Sequence, residues 1–224
     1  KRFAFYEAMK RLTDKGIRRS VVLTGTRRVG KTTIQYQMIE ALLKSGIPPQ
    51  KIVFISLDHP MLKLSQFQDV LECYHENIYA VQYAQDWDRW LKIIYDTQPD
   101  THVVATGSAS PALMKGSRES GAGRWTVIQV PTMSFYEYCE LLNLDRPNIA
   151  SDLKVTTLLH KSQIERTQIM MQLSKVQNHF MRYLQVGGFP ELALADNDLM
   201  AQQIMREDVV DKVLKRDLPS LYNI

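Results

Sequence analysis

The chain has 224 residues, 45% of them hydrophobic and 23% charged, with a net charge of +4; it can bury a full core, either as one large domain or as one with a small appendage. No run of about 18 apolar residues occurs, which argues against a membrane-spanning helix. No basic run of five or more residues backs the positive charge, so it reads as a mixed solvated surface, compatible with nucleic acid but not pointing to it. The first residues, Lys1 to Glu7, lack the apolar core of a secretion signal. Cys73 and Cys139 each lie on an apolar helical stripe without metal-ligand spacing, so buried reduced thiols in a cytoplasmic protein are expected.

The first predicted strand, Val21-Val22-Leu23-Thr24, runs directly into Gly25-Thr26-Arg27-Arg28-Val29-Gly30-Lys31-Thr32-Thr33. Gly-x-x-x-x-Gly-Lys-Thr between a strand and a helix is the pattern of a phosphate-binding loop. Its glycines let successive amides turn inward around a phosphate at the positive end of the following helix. In that arrangement Lys31 reaches the β- and γ-phosphates and the Thr32 hydroxyl sits on Mg²⁺. The competing reading is an ordinary glycine-rich turn with a solvated lysine.

Ile34, Met38, Ala41 and Leu42 share one face of a helix ended by Gly46. Lys51 to Leu57 is a nearly continuous apolar run, as in a parallel strand buried on both faces. Helical spacing follows at Phe67, Val70, Leu71 and Tyr74, and again at Trp87, Trp90, Leu91 and Ile94, which makes the two tryptophans core residues rather than base-stacking platforms. His102 to Thr106 predicts a strand ending in Gly107-Ser108, and Ser110-Pro111 a helix start. Trp125 to Val130 predicts the last strand, stopped by Pro131.

Strands alternating with helices predict an α/β fold with a parallel sheet flanked by helices. Such sheets bind ligands at the carboxyl ends of their strands, and Asp58, the turn from Thr106 to Ser108 and the loop before Trp125 are expected on that edge with the phosphate loop. Beyond Pro131 the pattern is helical. A capping box opens at Ser134, long helical patterns run from about Thr157 to Gln185 and from Leu199 to Lys215, and a Gly187-Gly188-Phe189-Pro190 turn separates them. Residues 1–131 are therefore expected to form a nucleotide-binding domain and 132–224 a small all-helical lid or linker domain.

Seven segments in this order carry a resemblance. They are Leu-Thr-Gly-Thr-Arg-Arg-Val-Gly-Lys-Thr-Thr (23–33), Ile-Ser-Leu-Asp (55–58), Val-Gln-Tyr-Ala-Gln-Asp-Trp (81–87), Ala-Thr-Gly-Ser-Ala-Ser (105–110), Ala-Gly-Arg-Trp (122–125), Met-Ser-Phe-Tyr-Glu-Tyr (133–138) and Val-Gly-Gly-Phe-Pro-Glu (186–191). The chain resembles the prokaryotic AAA+-superfamily P-loop ATPases that carry a C-terminal domain of unknown function. The resemblance implies ATP/ADP and Mg²⁺ as cofactors and hydrolysis coupled to movement of the helical domain. It implies that Thr106 to Ser108 form the sensor region near the γ-phosphate, with plain strand-end hydrogen bonding as the alternative. Arg124 corresponds to the family arginine of Ala-Gly-Arg, either on phosphate or in an ordinary salt bridge. Asp58 either touches the Mg²⁺ shell through water or closes a turn. Arg27 and Arg28 face phosphate or are solvated beside it. Any protein partner stays unnamed.

One departure matters. In the family an apolar strand ending in Asp-Glu precedes the glutamine-containing loop, whereas here Asn77-Ile78-Tyr79-Ala80 passes straight into Val81-Gln82-Tyr83. The acidic pair is missing, and by sequence most of the strand is missing too. Either the protein binds nucleotide without hydrolysing it, or a segment belonging between Ala80 and Val81 is lacking, which is favoured because losing a near-central strand should cost the fold. The functional expectation is thus an ATP-binding, Mg²⁺-dependent ATPase, with a nucleotide switch without turnover as the alternative. A small-molecule kinase is a weaker third reading.

Overall fold

The computed structural model describes residues 1–14, 16–56, 78–82, 87–107, 123–146, 153–211 and 214–215, with only the backbone of 78–82, 87–90 and 208–209. Asp58, Cys73, Ser108, the predicted helix around 67–74 and the Ser110-Pro111 helix start lie outside these residues. Two compact units emerge, one built on Lys1–Pro131 and the other spanning Thr132–Lys212.

In the first unit helix α1 (Phe3–Leu12) precedes strand β1 (Ser20–Thr24) and helix α2 (Lys31–Lys44). Strands β2 (Ile52–Phe54) and β3 (Ile78–Gln82), helix α3 (Trp87–Thr97), and strands β4 (Val103–Gly107) and β5 (Trp125–Gln129) follow. The strands form one sheet in the order β2-β3-β4-β1-β5, and every pairing is parallel. Val21, Val22 and Leu23 are fully buried because β1 is interior to the sheet and flanked by helices. Burying each such side chain contributes about 1.5–3 kcal/mol. Ala4, Phe5, Ala8 and Leu12 of α1 and Ile34, Met38 and Leu42 of α2 supply facing core residues. Leu91 and Ile94 of α3 are buried as their spacing predicts.

A strand forms where the sequence predicts most of one to be lacking. β3 crosses the suspected junction in unbroken register, with Ala80 opposite Val104 and Val81 opposite Ala105 on β4, and Tyr79 opposite Val53 on β2. Five residues suffice because each strand here is short. Among the described residues the sheet closes with these five.

In the second unit helix α4 (Phe135–Leu141) starts at a Ser134/Glu137 capping box. Helices α5 (Val155–Leu158), α6 (Gln163–Val186), α7 (Pro190–Ala193) and α8 (Asp198–Ile204) follow, with a π-helical stretch Met205–Asp211 after them. The single helix expected from Thr157 to Gln185 is two: the Ser162 hydroxyl accepts from Glu165 N and starts α6 afresh. Phe135, Tyr138, Phe180 and Tyr183 form an aromatic cluster with centroids 5.1 to 6.1 Å apart. Arg182 reaches the Asp198 carboxylate, Tyr138 Oη and the carbonyls of Ala193 and Ala195, so one guanidinium closes the ends of two connections. Cys139 is a buried free thiol whose pKa burial pushes up.

Candidate nucleotide site

β1 delivers the chain to the carboxyl edge of the sheet at Thr24, which pairs with Gly107 on one side and Gln129 on the other. The Thr24 carbonyl accepts from Val130 N at 2.7 Å, so the end of β1 is fastened where the loop departs. Gly25 follows with φ 150°, and a Cβ there would lie 2.3 Å from the Val130 carbonyl oxygen. Only glycine fits this approach. Gly30 closes the loop at φ 89°, ψ 24° and is the N-cap of α2, with no side chain capping the helix and no acidic residue in its first turn. Gly30 supplies no side-chain cap at the positive end of this 14-residue helix. An anion completes such an end.

Lys31 is folded into this loop. Its Nζ donates to the Gly25 carbonyl at 2.8 Å and the Thr26 carbonyl at 2.7 Å. An ammonium has three donors, so one remains for a ligand. Burial, and secondarily the Arg27 guanidinium nearby, lower the Lys31 pKa to about 8. Thr32 is half-buried at the head of α2, Thr33 is exposed, and Val29 is fully buried and anchors the loop.

Arg28 carries an unusual backbone, with φ 63° in a non-glycine residue. The left-handed region costs an ordinary side chain about 1–2 kcal/mol. Arg28→Gly is accordingly expected to be more stable than Arg28→Ala by about 1 kcal/mol, since both lose the guanidinium and only glycine escapes the strain. Urea midpoints at equal slope read this difference, and equal stability of the two variants would remove the strain argument.

One brace was not visible in the sequence. Arg2, the N-cap of α1, donates through Nη1 to the Val29 carbonyl in the loop and through Nη2 to the Pro131 carbonyl. An arginine 27 residues upstream carries no motif, so only the fold reveals it.

Thr106 stands on the same edge, opposite Leu23 on β1 and Gln82 on β3. It is 4% exposed, and its hydroxyl has no hydrogen-bond partner among the described residues. A buried orphan hydroxyl calls for a water or ligand. Gln82 ends β3, which pairs with β4 and so lies one strand removed from β1.

Arg124 is not brought to this edge. It immediately precedes β5, its carbonyl accepts from Ser20 N at the start of β1, and its Nε is paired with Asp96 at 3.1 Å. In a parallel sheet the loop entering a strand lies opposite the loop leaving it. Five-residue strands put the two edges about 13 Å apart. The expectation that the loop before Trp125 shares the phosphate-loop edge is thus corrected, and the salt-bridge alternative describes Arg124 as it stands.

The cradle fits a phosphate chain: a Gly25 approach that no Cβ allows, a helix start with no side-chain cap and a buried ammonium. Among the described residues no cluster of three His, Cys, Asp or Glu could hold a metal ion. Thr32, at the head of α2, is the residue that would meet a Mg²⁺ arriving with the nucleotide, and such ions take most ligands from phosphate and water.

A parallel sheet with this loop between β1 and α2 defines a P-loop nucleotide-binding protein of ATPase type. The family model described as AAA domain matches residues 17–139, and the chain belongs to that family. It is similar to an uncharacterized protein of Methanocaldococcus jannaschii, 29% identical over 233 residues, covering 91% of this chain and 47% of the relative. An uncharacterized Haemophilus influenzae protein is 22% identical over 209 residues, covering 88% of this chain and 45% of that protein. The chain thus spans about half the length of the curated relatives it matches. Among solved structures, the Saccharomyces cerevisiae Hsp104:casein complex in its extended conformation is similar in fold, with TM-score 0.53, 16% identity, and coverage of 95% of this chain and 40% of that one. Among the described residues no helix is long and apolar enough to cross a membrane.

Proposed function

We propose that the protein is a cytoplasmic AAA+-type ATPase that binds ATP with Mg²⁺ and uses nucleotide state to move its helical unit. The observation that carries this reading is the buried Lys31 ammonium, held on the Gly25 and Thr26 carbonyls inside an uncapped helix start. The loop amides from Thr26 to Thr33 and Lys31 bind the phosphates, Thr32 takes the Mg²⁺, and Gly25, Val29 and Gly30 hold the loop shape. Bound ATP supplies the hydrolysable anhydride. The Thr106 hydroxyl positions a water or phosphate oxygen at the strand end, with Ser108 beside it in sequence. Asp58 is a further candidate for the metal's water shell. Arg124, on the opposite edge, can act on phosphate only when presented to another molecule's site. Uncharacterized archaeal and bacterial relatives about twice as long support placing this chain among prokaryotic ATPases with a C-terminal domain of unknown function.

A second reading has its own observation. β3 ends at Gln82, opposite Thr106. No Asp or Glu lies in β3 (Ile78–Gln82), so the acidic pair that would polarise the attacking water is absent from this strand, which favours a nucleotide switch that binds without turnover. ATP titration with and without Mg²⁺, followed by single-turnover phosphate release, separates the two. Binding with release supports the ATPase, binding without release supports the switch, and no binding overturns both.

A further inference from the structure

Helix α6 carries an apolar stripe that its own unit does not cover. Met170 is 66% exposed, Leu173 41%, Met181 50% and Leu184 59%. Its other side is engaged: Val176 and Val186 are buried, Arg182 binds Asp198 and Tyr138, and Tyr183 Oη donates to the Met133 carbonyl at 2.7 Å. The stripe is therefore surplus to packing within the unit.

Its spacing points to the occupant. Met170, Leu173, Gln177, Met181 and Leu184 follow one another at intervals of three, four, four and three residues. The series is symmetric about Gln177, with apolar residues four and seven positions to either side. A two-fold interface needs a surface complementary to itself under reversal. An antiparallel partner of the same sequence sets Met170 against Leu184, Leu173 against Met181 and Gln177 against its own copy. We propose that α6 is a homodimer interface, pairing antiparallel with α6 of a second copy about an axis through Gln177.

The area agrees. With Phe180, which is 41% exposed and packs its ring against Phe135, the stripe presents on the order of 500 Å² of apolar surface, the central part of the roughly 800 Å² per partner in a standard interface. Gln177 fixes the register, because only the symmetric pairing lets one buried carboxamide satisfy another. The proposal is independent of the nucleotide reading, and Lys31→Ala leaves the dimer unchanged.

Sedimentation equilibrium of the whole chain tests it, with circular dichroism to confirm each variant's helix content. The expected species is twice the 25.9 kDa of the chain. Leu173→Glu is expected to weaken the dimer about 100-fold or more, because each copy then buries a carboxylate against Met181 of the other. Adding Met181→Lys to Leu173→Glu sets opposite charges face to face twice across the axis and returns the affinity to within about tenfold of the wild type. Adding Met181→Glu instead keeps the chain monomeric. A wild-type chain that stays monomeric, a dimer indifferent to Leu173→Glu, or a lysine double variant no tighter than the glutamate one each overturns the proposal.

Discussion

Lys31→Ala is expected to lower affinity for ATP by about 10- to 100-fold, the loss of one charge-assisted contact of about 1.5–3 kcal/mol. The loop suffers as well as the ligand, since the Gly25 and Thr26 carbonyls lose the donor that holds them at 2.8 and 2.7 Å. The wild type also carries a pH signature. With Lys31 lowered to about 8, its ammonium is lost from the free protein as pH rises from 7 to 9, and ATP affinity falls over that interval. Lys31→Ala removes this fall. Stability moves the other way. Below about pH 8 both folded and unfolded chains hold the proton and the burial penalty is fully present; between about 8 and the ordinary lysine value of 10.5 the unfolded chain binds more protons, so stability rises with pH. Fluorescent-nucleotide titrations and urea midpoints across pH read the opposed trends. Unchanged affinity in Lys31→Ala would refute the site.

The phosphate loop was legible because its chemistry is local: Gly25, Gly30, Lys31 and Thr32 lie within eight consecutive residues between a strand and a helix. The parallel sheet was legible because Val21 to Leu23 and Val103 to Ala105 are continuous apolar runs, which interior strands require. What failed was spatial. Arg124 was grouped with the loop because motif order says nothing about which end of a strand a neighbour occupies. Arg2 carries no motif, and its two acceptors are backbone carbonyls far along the chain. Asn77 to Ala80 alone is too short to cross the sheet and supply its loops, but β3 runs on through Val81 and Gln82 and is paired on both sides. The break before α6 was encoded all along in Ser162 and Glu165, but helical spacing on both sides outweighed that capping box.

Gly188→Ala is expected to be the costlier of the two substitutions in the turn between α6 and α7, although its neighbour has the stranger backbone. Gly187 has φ 71°, yet the one close approach of a Cβ there is to the Met205 Cε at 2.9 Å, the end of a flexible side chain, with the Phe189 ring at an ordinary 3.5 Å. Gly187→Ala therefore costs little beyond the left-handed strain, about 1 kcal/mol. At Gly188 a Cβ would lie 2.4 Å from the Met133 carbonyl oxygen and 2.8 Å from its nitrogen. Both are backbone atoms and cannot swing aside. Met133 N donates to the Gly188 carbonyl at 2.6 Å, and the Met133 carbonyl accepts from Tyr183 Oη at 2.7 Å. Moving either strand of the turn breaks one or both bonds and pulls Tyr183 from its cluster with Phe135 and Tyr138. The expected loss is about 2–4 kcal/mol, from overpacking and the bonds broken with it. Denaturant unfolding orders the two variants, and near-ultraviolet circular dichroism reads the aromatic cluster directly. ATP affinity at low denaturant should stay at the wild-type value in both variants, because every residue holding the phosphate loop lies within Lys1–Pro131. If Gly187→Ala proved as costly as Gly188→Ala, backbone conformation rather than the close approach to Met133 would be what this turn demands of glycine.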